Sequence, residues 1–166
     1  IRDTVGNHYW MSKGGYEFDG REISALDMSE LEAIASEIDA EGIDTIAITS
    51  VFSPVSDEME RKAMEAMAAK LPNANFTLSS EIGRLGILER ENAAIMNASL
   101  RALSERTVDA FGKALEKVGL DCPYYITQND GTLMSREFVQ SYPVLTFASG
   151  PTNSMRGAAF LSGKSD

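Results

Sequence analysis

The stretch DMSELEAIASEIDAEGIDTIAITSVF, Asp27 to Phe52, decides the fold class. Asp27 is a side chain that caps helices, and Glu30 stands three residues on, as in a capping box. Leu31, Ile34 and Ile38 follow at helical spacing, and Gly42 supplies the stop. From Thr45 to Phe52 the pattern changes to a short apolar run rich in β-branched residues, the mark of a buried strand.

The alternation continues downstream. Ser56 is the expected cap of a second helix, with Met59, Ala63, Met67 and Leu71 on its inner face and Pro72 ending it. Asn75 to Ser79 reads as a second strand. Helix, strand, helix, strand implies parallel strands joined by crossover helices, so the expected class is α/β with a mixed or parallel sheet and flanking helices. A long helix is expected from Leu88 to Val118, its apolar stripe formed by Met96, Leu100, Leu103, Phe111, Leu115 and Val118. Strands are expected at residues 123–128 and 144–148, a short helix capped by Ser135 between them, and a last helix from Gly150-Pro151 to Leu161. Upstream, Gly14-Gly15 and Asp19-Gly20 mark turns, so residues 1–22 read as an irregular segment with a short hairpin and residues 23–166 as the α/β domain.

Composition narrows the function. The chain has 166 residues, 43% apolar, with a net charge of -10. Such a surface repels phosphate backbones, so nucleic acid is not an expected partner. No apolar run is long enough to span a bilayer, no secretory leader is visible, and the cytosol is the expected location. Both ends read as cut points within a longer protein. Cys122, the single cysteine, excludes an internal disulfide and reads as a buried structural thiol. His8, the single histidine, excludes a Ser-His-Asp triad that uses any other imidazole, and it lies in the irregular segment. Gly163-Lys164-Ser165 follows a helix and lacks the upstream glycine of a phosphate loop, so it is not read as one.

Three places have the residue types for chemistry. In SGPTNS, Ser149 to Ser154, a glycine and small polar residues open a helix whose free amides could hold an anion; ordinary capping by Thr152 or Ser154 is the alternative. In QNDG, Gln128 to Gly131, a turn follows a strand, and Asp130 is either a general base, a magnesium ligand or a plain turn residue. On the long helix, Arg90, Asn97 and Arg101 share one face with Ala93, Ala94 and Ala98 among them, and Glu89 lies beside it. That face is either a ligand wall or a solvated side.

In this order and spacing, the three places resemble the hydantoinase A / oxoprolinase family. The carrying stretches are ERENAAIMNASL (Glu89 to Leu100), QNDGTLM (Gln128 to Met134) and PVLTFASGPTNSMRGAAFLSG (Pro143 to Gly163), with AITSVFSPVSDEMERKA (Ala47 to Ala63) upstream. Asp130 stands where many members have glycine. The resemblance implies part of an actin-like, sugar-kinase-like ATPase fold, and ATP-dependent opening of a small cyclic amide such as hydantoin or 5-oxoproline. It implies ATP and magnesium in the full-length enzyme, none expected in this stretch alone, and a second subunit as partner. It places the stretch between the family's two phosphate loops, neither of which is present. Carried onto these residues, it suggests Asp130 and Glu89 as catalytic, Arg90, Asn97, Asn129 and Gly131 as substrate-binding, and Ser149, Gly150 and Thr152 as cofactor-binding, with no metal ligand. A related ATP-dependent ketone carboxylase subunit and a non-catalytic binding or regulatory domain are the rival readings.

Overall fold

A computed structural model describes residues 5–163, which divide after Ala98 into two compact units. In the first unit, α1 (Met28–Ala40), β1 (Thr45–Ile48), α2 (Glu58–Ala68) and β2 (Asn75–Leu78) follow one another. The two strands pair in parallel, Thr45 opposite Asn75 through Ile48 opposite Leu78, with α2 as the crossover. A one-turn α3 (Ser79–Ile82) and the start of α4 (Ile87–Lys117) complete this unit.

The caps and stripes explain these elements. Asp27 Oδ1 accepts from the Ser29 and Glu30 amides at 3.1 and 3.2 Å and opens α1. The capping box is only half made, because Glu30 turns to the upstream segment and accepts from Ser12 Oγ at 2.8 Å. Trp10 Nε1 donates to Glu37 and His8 Nδ1 meets Glu41, both at 2.7 Å, so the segment before α1 is tied along one face of that helix. The expected hairpin is present as an antiparallel bridge between Tyr16 and Glu22. Leu31, Ala35 and Ile38 of α1, Ile46 of β1, and Ala63, Met67 and Leu71 form one buried cluster. Burying each large side chain contributes about 1.5–3 kcal/mol. α2 starts at Glu58 behind Asp57, one residue later than a Ser56 cap requires, and Asp57 makes no capping bond with its side chain.

The second unit holds the remainder of α4, an antiparallel pair β3 (Ile126–Thr127) and β4 (Leu133–Met134), α5 (Arg136–Ser141), a 3-10 helix (Pro143–Thr146) and α6 (Ser149–Ser162). Ser135 Oγ caps α5 through the Phe138 amide at 3.2 Å. Val108, Met134 and Val139 make a small core. The strand expected at residues 144–148 is not formed. Pro143 sits in the first turn of the 3-10 helix, and Thr146 Oγ1 closes that turn on the Pro143 carbonyl at 2.8 Å. Cys122 is exposed rather than buried, on the irregular connection that follows α4.

Candidate functional site

Parallel pairing puts the carboxyl ends of β1 and β2 on one edge, the side where open α/β sheets take ligands. A buried polar network occupies that edge. Glu60 of α2, 0% exposed, accepts from the Ser50 amide (2.8 Å) and Ser79 Oγ (2.6 Å) on one oxygen. Its other oxygen accepts from the Ser80 amide (2.9 Å) and Ser80 Oγ (2.8 Å). Arg90, also 0% exposed, donates Nε to Ser79 Oγ (2.9 Å), Nη2 to the Ser50 carbonyl (2.6 Å) and Nη1 to the Arg84 and Leu85 carbonyls (3.1 and 3.2 Å). Ser79 therefore relays between a buried anion and a buried cation. The network fastens the loop after β1, where Phe52 holds a φ of 52°, to the loop before α4. A bulky residue at positive φ persists only where its surroundings fix it.

Glu60 was not among the residues expected from sequence. A signal existed: Glu60, Ala63 and Met67 follow the i, i+3, i+7 spacing of the buried stripe. Arg90 and Asn97, expected to bind substrate, are buried, and Asn97 Nδ2 donates to Thr77 Oγ1 at 3.2 Å. Their stripe, with Ala94 and Ala98, is neither a solvated side nor an open wall but the packed face of α4. Most of the expected apolar stripe is exposed instead: Met96 is 39%, Leu103 54%, Phe111 50% and Val118 70% accessible, while Leu100 and Leu115 are half-buried. Glu89 is exposed, its carboxylate folded over Gly86 in the first turn of α4, where an acid suits the helix dipole.

Gly83 has no room for a side chain. A Cβ there would lie 2.8 Å from Arg90 Cβ and 3.0 Å from Arg90 Cα. Gly157, within α6, has nothing within 4 Å of the same added atom. Gly83→Ala should therefore destabilise by about 1–3 kcal/mol through overpacking. Gly157→Ala should stabilise by about 0.5–1 kcal/mol through helix propensity. Urea unfolding of the 166-residue chain reads both, and equal shifts of the same sign would contradict the packing described.

In the second unit the Gln128–Gly131 turn and the start of α6 are in contact. The Gly131 amide donates to the Gln128 carbonyl at 3.0 Å and closes the turn, with Gly131 at φ +85°. Asp130 is exposed, and its Oδ1 accepts from the Thr132 hydroxyl (2.7 Å) and amide (2.8 Å). The hydroxyl bond above all, then the amide bond, holds this carboxyl below the ordinary aspartate range. Thr152 Oγ1 donates to the Asn129 carbonyl at 2.6 Å, and the Arg156 guanidinium donates to the Gly131 carbonyl. Ser149 and Gly150 are the first residues of α6 and Pro151 its third. Neither Thr152 nor Ser154 caps this helix; Ala148, at φ 57°, stands in the cap position and makes no side-chain bond.

The site candidates thus fall into two groups: Glu89, Arg90 and Asn97 in the first unit, and Asn129, Asp130, Gly131, Ser149, Gly150 and Thr152 in the second. Sequence models of known families match both units. The hydantoinase/oxoprolinase N-terminal region matches residues 4–71, and the hydantoinase/oxoprolinase model matches residues 90–166. The chain belongs to the hydantoinase/oxoprolinase family.

Within the family, it is similar to the caprolactamase subunit alpha of Pseudomonas jessenii, 24% identical over 136 residues, which is 81% of this chain and 20% of that protein. The crystal structure of the ATP-dependent caprolactamase from the same organism shares the fold, with a TM-score of 0.83 and 22% identity over 90% of this chain and 22% of that one. The nucleotide-free structure of an acetone carboxylase, from work on ATP-dependent acetone carboxylation, shares it with a TM-score of 0.76 and 18% identity over the same shares. This hydantoinase/oxoprolinase chain spans about a fifth of the length of the relatives it matches.

Among the described residues there is no group of three or more His, Cys, Asp or Glu that could hold a metal ion. No helix among the described residues is long and apolar enough to cross a membrane. Lys164 and Ser165, part of the Gly-Lys-Ser run set aside as a phosphate loop, lie outside the described residues.

Proposed function

We propose that this chain is part of an ATP-dependent cyclic-amide hydrolase of the hydantoinase/oxoprolinase type. The observation that carries this reading is the pair of family matches spread over both units, supported by the fold shared with an ATP-dependent caprolactamase. A cyclic amide resists hydrolysis because its nitrogen donates into the carbonyl. Transfer of the γ-phosphoryl group of ATP to the amide oxygen would release ADP and remove that stabilisation; water would then add to the carbon, and loss of phosphate with cleavage of the C–N bond would open the ring. The ATPase core would be actin-like, and magnesium, where the full-length enzyme binds it, would offset the phosphate charge.

In this reading Asp130 faces substrate or the attacking water, with Asn129 and Gly131 shaping the turn beside it, and Glu89 is a second acid. The Ser149 and Gly150 amides lie on the nucleotide side. Arg90 and Asn97 contribute through the loops and strand they hold, since both are buried. A second subunit is part of the proposal, because the similar caprolactamase chain is named as a subunit. A second reading, an ATP-dependent ketone carboxylase, is favoured by the fold shared with acetone carboxylase.

The deciding experiment offers the full-length protein a lactam, hydantoin or 5-oxoproline, and separately a small ketone with bicarbonate, each with magnesium-ATP. ADP release that depends on the cyclic amide supports the hydrolase. Dependence on ketone and bicarbonate replaces it with the carboxylase, and dependence on neither leaves a non-catalytic domain.

The 166-residue chain alone should bind no ATP strongly. Neither phosphate loop is in the sequence, the start of α6 offers about 0.3–1 kcal/mol to an exposed anion, and the net charge of -10 opposes it. Calorimetric titration with magnesium-ATP should show no saturable binding tighter than about 1 mM. Micromolar binding would mean that the nucleotide site lies within these residues after all.

A further inference from the structure

We propose that Thr152 and Arg156 are positioning residues that clamp the turn carrying Asp130; the proposal rests on the reading of Asp130 given above. The two side chains stand four residues apart on α6 and reach the same turn. Thr152 Oγ1 holds the carbonyl before Asp130, that of Asn129, at 2.6 Å. The Arg156 guanidinium holds the carbonyl after it, that of Gly131. The backbone is therefore gripped on both sides of Asp130, while the Asp130 carboxylate is directed by Thr132 and stays exposed.

The approach is close enough to exclude a side chain at Gly131. A Cβ there would stand 2.9 Å from Arg156 Cδ and 3.0 Å from Thr152 Cγ2. α6 itself buries no residue, so these two polar contacts are a large part of what registers the helix against the turn. A carboxylate whose backbone drifts by about 1 Å loses its alignment with a reacting atom, which costs up to about 100-fold in rate. Thr152 thus acts on the site through Asn129 and Asp130 rather than by touching a ligand.

A double-mutant cycle in the full-length protein tests the clamp, using whichever ATP-dependent reaction that protein catalyses. Thr152→Val removes the donor at constant shape, Arg156→Met removes the guanidinium, and each is combined with Asp130→Asn. Each single variant should lower kcat by about 10- to 100-fold, with KM for ATP within about twofold. In the Asp130→Asn background the same changes should alter the residual kcat by less than about twofold, because residues acting through one group are not additive. Thr152→Ser, which keeps the hydroxyl, should restore most of the activity, and it decides the question if Arg156→Met does not fold. Unchanged kcat in Thr152→Val, or effects that multiply in the Asp130→Asn background, would overturn the clamp. Full activity of Asp130→Asn would overturn the role of Asp130, and the clamp with it. A wild-type protein without any ATP-dependent reaction would instead remove the functional reading on which both stand.

Discussion

Glu60→Ala is expected to lower the stability of the 166-residue chain by about 3–5 kcal/mol, the cost of leaving a buried charge without its counterpart. The buried carboxylate of Glu60 accepts from the Ser50 amide, Ser79 Oγ, and both the amide and hydroxyl of Ser80. Alanine leaves those donors without this acceptor and leaves the Arg90 guanidinium facing a relay with no anion at its far end. Domains of this size are stable by only about 5–15 kcal/mol, so the loss is a large share of the total. Glu60→Gln keeps one acceptor oxygen but turns an amide NH2 towards donors, so it should cost less, about 1–3 kcal/mol. Urea unfolding followed by circular dichroism reads the difference. A loss below about 1 kcal/mol for Glu60→Ala would mean that water replaces the carboxylate without penalty and that the network does not hold the strand-end loops.

Asp130→Asn should reduce kcat of the full-length enzyme by about 100-fold, the lower end of what a positioned acid or base contributes. The reason for the lower end is the turn itself. Thr132, through its hydroxyl and then its amide, stabilises the ionised carboxylate and lowers its affinity for a proton. The group is then a fixed negative charge more than a strong base, which in the proposed role would orient water or a substrate N–H rather than remove a proton. Asparagine keeps the shape and the bond to the Thr132 amide, so KM for ATP should stay within about twofold. Because the carboxyl is held below its ordinary value of 3.8, protonation of Asp130 should not limit activity until the pH falls beneath that value. A variant with undiminished kcat would leave Asp130 as a turn residue only.

The first unit was legible in the sequence because its signals are local. The Asp27 cap, the Leu31 and Ile38 stripe and the Met59, Ala63 and Met67 stripe each lie within one helix, and all are where periodicity puts them. α4 was legible as a long helix but its buried face was not. Periodicity assigns burial to apolar side chains, whereas Arg90 and Asn97 are buried while donating to partners distant in sequence, the Ser50 carbonyl in the loop after β1 and Thr77 of β2. The same limit concealed Glu60, whose partners at residues 50, 79 and 80 come from two other segments. The apolar run after Pro143 resembles a strand in composition, but the fixed φ of proline and the Thr146 hydroxyl favour a 3-10 turn.

At the site, the turn at residues 128–131 and the helix after Ser149 were each visible as motifs. Their contact was not, since it depends on Thr152 and Arg156 reaching back across more than twenty residues. Arg156 carries no motif signal of its own, and only the Cβ-free approach at Gly131 marks the place it fills.

The most direct measurement is the formation of ring-opened product by the full-length protein from a cyclic amide, with magnesium-ATP and without it. The expected result is ring-opened acid produced only when ATP is present and in step with ADP, an amino acid from a lactam or 5-oxoproline and an N-carbamoyl amino acid from hydantoin. Ring opening at the same rate without ATP, or ATP consumption with no ring-opened product, would contradict the assignment of this chain to an ATP-dependent cyclic-amide hydrolase.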